Sequence, residues 1–394
     1  MNLSTKKIAV FGADLFWSSS PYECLNVYED ISKSFDVDYV MFENDIRLNK
    51  SFSGEEKFFF ETEKFKKCEN LRTIKTWGDL YKLSADYRFI VARCKIAPKT
   101  RHPREILTKN IKCPWVSWDT GGLDILAEEL NNRQHTNLYL PKGNTWKKYI
   151  DSNLSTIRAP SEISLCPQYD PYYRADLVHN CKISKHQFYE KYGIKKDEKY
   201  VLVAPSNPGS HVEQFKQNIK TFESFLQFAN KHNFKVLVKT YPHDYVYYEK
   251  EVLGSGIYKR RFPGLDSSQY EYFSNKYSSE LVIVDSQDHH VAVENADKIY
   301  NMSGSSIAWE TFFSEGVSYS MNYKEKKYYD TVDYLDKSVK FPDSIFNINI
   351  QDVSEIFSDK SKTDKKSASD FFTQNIEQHR IDKSLKRAID KKII

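Results

Sequence analysis

Short apolar runs alternate with longer amphipathic segments along this chain, and the alternation predicts parallel β-strands joined by helices. Residues 7–11 carry Ile8, Ala9, Val10 and Phe11 in succession and stop at Gly12, which reads as a buried strand and a turn. A polar loop follows over 13–20. Pro21 then suits the first turn of a helix running to about residue 35, since its fixed φ is helical and its missing N–H is not needed there. Residues 37–41 give the next strand, and 87–92 and 114–117 are further short apolar runs. A strand, loop, helix and strand in this order open a doubly wound sheet.

The second half repeats the theme. Residues 200–204 form a strand. Val212, Phe215, Ile219, Phe222, Phe225, Leu226 and Ala229 follow at helical spacing and make one apolar stripe. Strands are predicted at 234–239, 281–285, 298–302 and 317–321, with helices at 290–296 and 306–315. Ser184 caps a short helix that ends near Tyr192, with Gly193 placed to close it. Between the halves, residues 154–180 hold Pro160, Pro167 and Pro171 and keep no period, as a connection would. The expectation is two Rossmann-like α/β domains, 1–175 and 176–340, with mainly parallel sheets facing a central cleft. Residues 341–394 form a C-terminal helical segment, rich in Lys, Asp and Ser from about 358, that either packs back on the first domain or presents a solvated face.

Composition narrows the field of functions. Hydrophobic residues make up 40% of the 394 residues, with 27 Tyr and 25 Phe, enough for a sizeable core and too many for a disordered chain. The formal charge of 58 − 54 = +4 is mild, so no nucleic acid partner is expected. The six cysteines form no C-x-x-C pair and no metal-ligand spacing with a histidine. The first residues run directly into a strand, and no apolar run reaches the 18 or so residues that span a bilayer. These features give an expectation of a cytoplasmic protein. Peripheral contact with the inner face of the membrane stays open, through the basic stretch Lys95, Lys99, Arg101 and Arg104 or the tail with Lys386, Arg387, Lys391 and Lys392.

The most informative chemistry lies in Asn301-Met302-Ser303-Gly304-Ser305-Ser306-Ile307-Ala308-Trp309-Glu310. A strand ends in a small hydroxyl-bearing turn and a helix begins at once. Such a turn offers backbone N–H groups and the positive end of a helix dipole to a phosphate. Gly304 allows close approach, Ser305 and Ser306 add hydroxyl donors, and Glu310 stands one turn further on as an acceptor for ribose hydroxyls. The bland alternative is a serine that only caps the helix. Other strand ends should share the rim: Ser206 and Asn207 after the 200–204 strand, Lys239 and His243 around the next, and Asp288 with His289 and His290 after the third. The adjacent histidines invite a metal, but neighbours seldom ligate one ion and no third ligand stands at helical spacing. The donor half also lacks a D-x-D triplet. The expectation is therefore no cofactor and no protein-held metal.

These residues resemble the donor domain of bacterial surface-polysaccharide GT-B transferases, the group that includes teichoic acid glycerophosphotransferases and capsule and lipopolysaccharide sugar transferases. The resemblance runs from about Pro167 to Asn322 and rests on Pro167-Gln168-Tyr169-Asp170-Pro171, on the strand and turn at 201–210, and on Gly304, Ser305, Ser306 and Glu310. It implies that the serines hold donor phosphates, that Glu310 holds the ribose, and that 1–175 binds the acceptor while 176–340 binds a nucleotide sugar. The family's His-Pro pair is here Tyr241-Pro242, with His243 one place later. The implied partners are a nucleotide-sugar donor and a glycan acceptor, lipid-linked in one reading. An inverting transfer needs a general base in the first domain. Asp119, which follows Trp118 and precedes Thr120-Gly121-Gly122, is the first candidate; Asp14, Glu23 and His102 are others. Trp17, Trp115 and Trp118 are candidates for stacking on sugar rings, Trp115 being the one most suited to the core. Two rival readings remain: a non-hydrolysing nucleotide-sugar epimerase, with Asp285, Asp288 and Glu294 as acid and base candidates, and a catalytically silent nucleotide- or sugar-binding module.

Overall fold

The computed structural model describes residues 6–12, 20–43, 63–66, 68–93, 110–118, 136–144, 147–148, 159–165, 183–204, 212–239, 275–276, 281–284, 288–302, 307–311, 316–321, 347–360 and 376–394. The chain divides into two compact units, Met1–Asp176 with Ser369–Ile394, and Leu177–Ala368. Each is a six-stranded sheet in which every described pairing is parallel.

The first sheet holds β1 (Lys7–Gly12), β2 (Val37–Phe42), β3 (Leu71–Ile74), β4 (Tyr87–Arg93), β5 (Trp115–Trp118) and β6 (Leu138–Leu140), in the order β3-β2-β1-β4-β5-β6. The second holds β7 (Tyr200–Ala204), β8 (Lys235–Lys239), β9 (Leu281–Val284), β10 (Lys298–Asn301), β11 (Val317–Met321) and β12 (Asn347–Ile350), in the order β12-β11-β10-β7-β8-β9. Read from their own first strands, both follow the same doubly wound plan: three strands are laid outward in one direction, then three in the other. The direction reverses between β1 and β4 in the first sheet and between β7 and β10 in the second. In open α/β sheets, ligands bind outside the carboxyl ends of the strands at that reversal.

The alternation of side chains explains why these strands read as continuous apolar runs. In β1, Ile8 and Val10 enter one core with α1 (Ser20–Ser32), while Ala9 and Phe11 enter another against α2 (Trp77–Leu83). In β7, Val201 and Val203 pack with Phe222, Phe225, Leu226 and Ala229 of α4 (Val212–Lys231). Tyr200, Leu202 and Ala204 face Phe188 of α3 (Lys185–Lys191) and Val291 and Ala292 of α5 (His289–Glu294). Both faces are covered, which a parallel sheet requires. Ser184 caps α3 through a reciprocal pair with Gln187, and Gly193 closes it at φ +61°. Gly316, just before β11, has a different reason for being glycine: a Cβ there would lie 2.3 Å from the Ala296 carbonyl oxygen.

The helix α7 (Ile381–Asp390) belongs to the first unit, and Ile381, Leu385 and Ala388 fill its core beside α1. Polar contacts fix it at two ends. Asp30 of α1 accepts from the Ile381 N–H at 2.9 Å and from Arg380 Nε at 3.1 Å. Glu162 accepts from Arg387 Nε at 2.7 Å and Lys391 Nζ at 2.8 Å. Two of the four basic residues of the tail are thus engaged within the unit. Trp115 and Trp118, both candidates for sugar stacking, are core residues; Trp118 is fully enclosed with Val116, Leu138 and Leu140 around it. The apolar ring that suits a sugar face suits a core equally, and here the core holds it.

Burial of Glu162 opposes its ionisation, but the bonds from Lys391 and Arg387 outweigh it and hold the carboxyl below its ordinary value of 4.5. A depressed folded value means the carboxylate stabilises the fold above that ordinary value and loses this contribution as pH falls through the lower folded value. Acid denaturation followed by far-UV circular dichroism should therefore show the wild type losing stability below about pH 4.5, with Glu162→Gln less stable at neutral pH and flatter with acid. Parallel pH profiles for the two proteins are the contrary result.

Candidate functional site

The site is built where β10 returns beside β7. Asn301 stands opposite Ala204 in the register, and the Met302 N–H donates to the Ala204 carbonyl at 2.9 Å. On the other side β7, β8 and β9 end together, with Lys239 opposite Val284. Four strand ends, Val284, Lys239, Ala204 and Asn301, therefore line the carboxyl edge side by side. At roughly 4.8 Å per strand they span about 15 Å, the scale of a nucleotide. Every segment that the sequence offers for donor binding leaves from this edge.

Two short helices bring side chains to it. The helix α6 (Ile307–Glu310) carries Glu310, 6% exposed, and α5 begins with His289, 8% exposed. The His289 Nε2 lies 2.9 and 3.1 Å from the two Glu310 carboxylate oxygens. His290 Nδ1 lies 3.9 Å from the nearer of them, and the two imidazole centroids are 5.0 Å apart. One carboxylate and two imidazoles therefore meet in a largely buried pocket of side chains.

The start of α5 is held in place from below. Asp288, 1% exposed, accepts from Lys191 Nζ at 2.7 Å and from Tyr192 Oη at 2.6 Å, which ties α5 to the end of α3. The Tyr200 hydroxyl donates to the Ala292 carbonyl at 2.6 Å, tying the same helix to β7. Burial, with the nearby Tyr189, Asp297 and Glu294, pushes the Tyr200 phenol far above its ordinary range, so it remains a donor. Ser320 Oγ donates to the Asn301 carbonyl at 2.9 Å and steadies the last residue of β10.

Of the residues expected from sequence, Lys239, Asp288 and Glu310 fall among the described side chains. Glu23 sits in α1, with only its backbone described. Asp14, His102 and Asp119 in the first unit, and Ser206, Asn207, His243, Gly304, Ser305 and Ser306 in the second, lie outside the described residues, as does Asp285. Glu294 is exposed on α5. Sequence reasoning did not join His289 to Glu310, because the two are 21 positions apart and no helical period links them. Lys191 and Tyr192 were likewise invisible as partners of Asp288, 97 and 96 positions away.

No protein-family model and no curated protein sequence matches this chain. Solved structures do match in fold. The UDP-GlcNAc 2-epimerase of Methanocaldococcus jannaschii superposes with a TM-score of 0.55 at 11% identity, covering 98% of this chain and 99% of that one. The wall teichoic acid polymerase TagF, as its H444N variant, gives 0.54 at 11% identity over 98% of this chain and 89% of its own. This chain has the GT-B fold. Phytolacca americana UGT2, complexed with UDP-2fluoro-glucose and pterostilbene, shares that fold with a TM-score of 0.53 at 5% identity, over 98% and 99% of the two chains. The epimerase has also been seen with UDP-GlcNAc and UDP bound. At these identities the likeness carries the GT-B arrangement of two parallel-sheet units and leaves the reaction to the residues.

Replacing Asp288 by Ala removes the acceptor for both Lys191 and the buried Tyr192 hydroxyl. The loss is expected to be about 1.5–3 kcal/mol, the usual range for hydrogen bonds to a charged group. Denaturant unfolding should report it, and hydrogen exchange should show it concentrated in α3 and α5. Stability within error of wild type would mean that packing and the Tyr200–Ala292 bond hold α5 without Asp288.

Proposed function

We propose that this GT-B protein is a glycosyltransferase that moves a sugar, or a related group, from a nucleotide-activated donor to a glycan acceptor in surface polysaccharide biosynthesis. The observation that carries the reading is the Met302–Ala204 hydrogen bond. It fixes Met302, the residue that precedes Ser303 in the sequence, at the strand reversal of the second sheet, between β7 and β10. In this reading the small, hydroxyl-rich Ser303–Ser306 segment supplies N–H donors to a donor phosphate. Lys239 ends β8 on that edge, and Ser206 and Asn207, which follow β7 in the sequence, are assigned to the same site in this reading. Lys239 and His243 supply positive charge for the phosphates in this reading. The acceptor, lipid-linked or soluble, belongs to the first unit, where Asp119 directly follows β5 and serves as the base. Asp14, Glu23 and His102 are the alternatives there.

A thermal-shift screen of the full chain against UDP, CDP, CMP, GDP and dTDP tests the donor site. A ligand at 100 times its Kd should add about 2.7 kcal/mol. Ser305→Ala and Ser306→Ala should each weaken the nucleotide that registers by roughly 10- to 150-fold, the cost of a hydrogen bond to a charged group. A double variant that binds as tightly as wild type would remove the turn from the site.

The base has its own test. Asp119→Asn should lower kcat by about 10²- to 10⁴-fold while leaving nucleotide affinity unchanged, as expected for loss of a proton acceptor. An unaltered kcat transfers the role to another residue or points to retention of configuration. A second reading is an epimerase, because one of the matching folds acts on UDP-GlcNAc without a glycan acceptor. Incubation with a nucleotide sugar alone separates the two: release of nucleotide only when acceptor is present is the transferase result, and conversion to a new nucleotide sugar without acceptor is the epimerase result.

A further inference from the structure

We infer that His289, His290 and Glu310 form a binding site for one divalent transition-metal ion, with zinc as the best chemical match. The sequence speaks against a metal because adjacent histidines lack a third ligand nearby. The fold supplies it from another helix. One ligand atom each from His289, His290 and Glu310 lies within 4.8 Å of the others. The closest pairs are 2.9 Å, from His289 Nε2 to Glu310 Oε2, and 3.9 Å, from His290 Nδ1 to the same oxygen. Around a tetrahedral zinc with bonds of about 2.0–2.1 Å, ligand atoms stand roughly 3.4 Å apart. The two pairs that involve Glu310 lie on either side of that spacing and no pair exceeds 4.8 Å, so an ion draws the three groups together by side-chain rotation. A simple hydrogen bond between His289 and Glu310 would not need a second imidazole at the same carboxylate.

The donor set selects the ion. Two imidazoles and one carboxylate suit zinc and its neighbours in the first transition row, whereas magnesium and calcium prefer an all-oxygen shell. Three protein ligands leave a fourth position for water or a ligand oxygen. The supports are rigid, as such a site requires. Asp288 is fixed by Lys191 and Tyr192 immediately before the two histidines, and the Tyr200 hydroxyl holds the Ala292 carbonyl one turn on. Glu310 lies on α6, which follows Ser306 directly in the sequence. On the proposed donor reading, on which this role but not the binding itself depends, the open position takes a phosphate oxygen of the donor and offsets charge on the departing nucleotide. Glu310 then meets the donor through the ion rather than through ribose hydroxyls.

The test uses the full chain, stripped with a chelator and titrated with Zn²⁺ by calorimetry and with Co²⁺ by visible absorption. One ion per chain is expected, with cobalt bands of a four- or five-coordinate site. Glu310→Gln and His290→Ala should each weaken binding by more than the roughly 10- to 100-fold that loss of an outer partner costs. His290→Gln serves as a second variant should the alanine fail to fold, with circular dichroism as the check. Absence of saturable binding by wild type, or unchanged affinity in a folded Glu310→Gln, overturns the inference. Nucleotide thermal shifts on the stripped protein keep the two ideas apart. Nucleotide binding without any metal site overturns the metal alone, and metal binding without any nucleotide shift upholds the site while removing the donor reading. Equal losses of ribo- and deoxyribonucleotide affinity in Glu310→Gln are expected, and a loss confined to ribonucleotides overturns the ion as the link between Glu310 and the donor.

Discussion

A parallel strand presents side chains to both faces of its sheet and leaves neither face for water, so each sheet here must be covered twice. The helix packing of both units answers that requirement. In the second unit α4 covers one face and α3 with α5 the other. In the first unit α1 shares its face with α7, which comes from the far end of the chain. The chain crosses the whole second unit before it returns to complete the first. A helix that arrives so late in sequence is fixed by direct charge pairing as well as by packing: Asp30 holds its beginning and Glu162 its end. Both carboxylates are buried or nearly so, where one unpaired charge would be costly.

The same constraint shapes the edge that carries the chemistry. Because the strands are buried along their length, ligand-binding groups are confined to the loops and short helices beyond the carboxyl ends. In the second sheet the strand order reverses between β7 and β10, the position at which open α/β sheets bind their ligands. The last turn of β10 is pinned to β7 by a backbone hydrogen bond, and Ser320 supports it from β11. The entry to α5 is pinned by a buried carboxylate shared between a lysine and a tyrosine. Polar groups this deep rigidify a site only when they are partnered. Here the partners come from different elements, so the entry to α5 is held by α3 and the end of β10 by its two neighbouring strands.

The GT-B plan is shared by transferases and an epimerase among the structures that match, so fold alone does not choose a reaction. The choice is left to the residues of this protein. It has Tyr241-Pro242-His243 in place of the His-Pro order of the family it resembles. It also places two histidines against Glu310, where the resemblance implies a carboxylate acting alone on a ribose. A carboxylate whose oxygens both lie within hydrogen-bond reach of an imidazole is oriented differently from one left to water, and its neighbours decide what it can bind.

Local pattern alone determined the two parallel-sheet units, because strands buried on both faces must be apolar throughout and helices between them must carry one stripe. Residues 8–11 and 200–204 announce their strands for that reason, whereas 317–321 alternates apolar residues with Ser318 and Ser320. The strands that escaped, β3, β6 and β12, are short or carry polar residues, as Leu71–Ile74 and Asn347–Ile350 do at the edges of their sheets. An edge strand has one hydrogen-bonded neighbour and tolerates such polar positions, although β9, also at an edge, stays apolar over Leu281–Val284 and was legible. Residues 303–306 stood out in the sequence because their chemistry is contiguous. The meeting of His289, His290 and Glu310 did not, nor did the bond from Asp288 to Lys191 and Tyr192, nor the commitment of Arg387 and Lys391 to Glu162. Those contacts join residues from separate helices whose spacing is set by the sheet between them. A one-dimensional pattern records which face a residue takes, while only the packed sheet decides which distant residue it meets there.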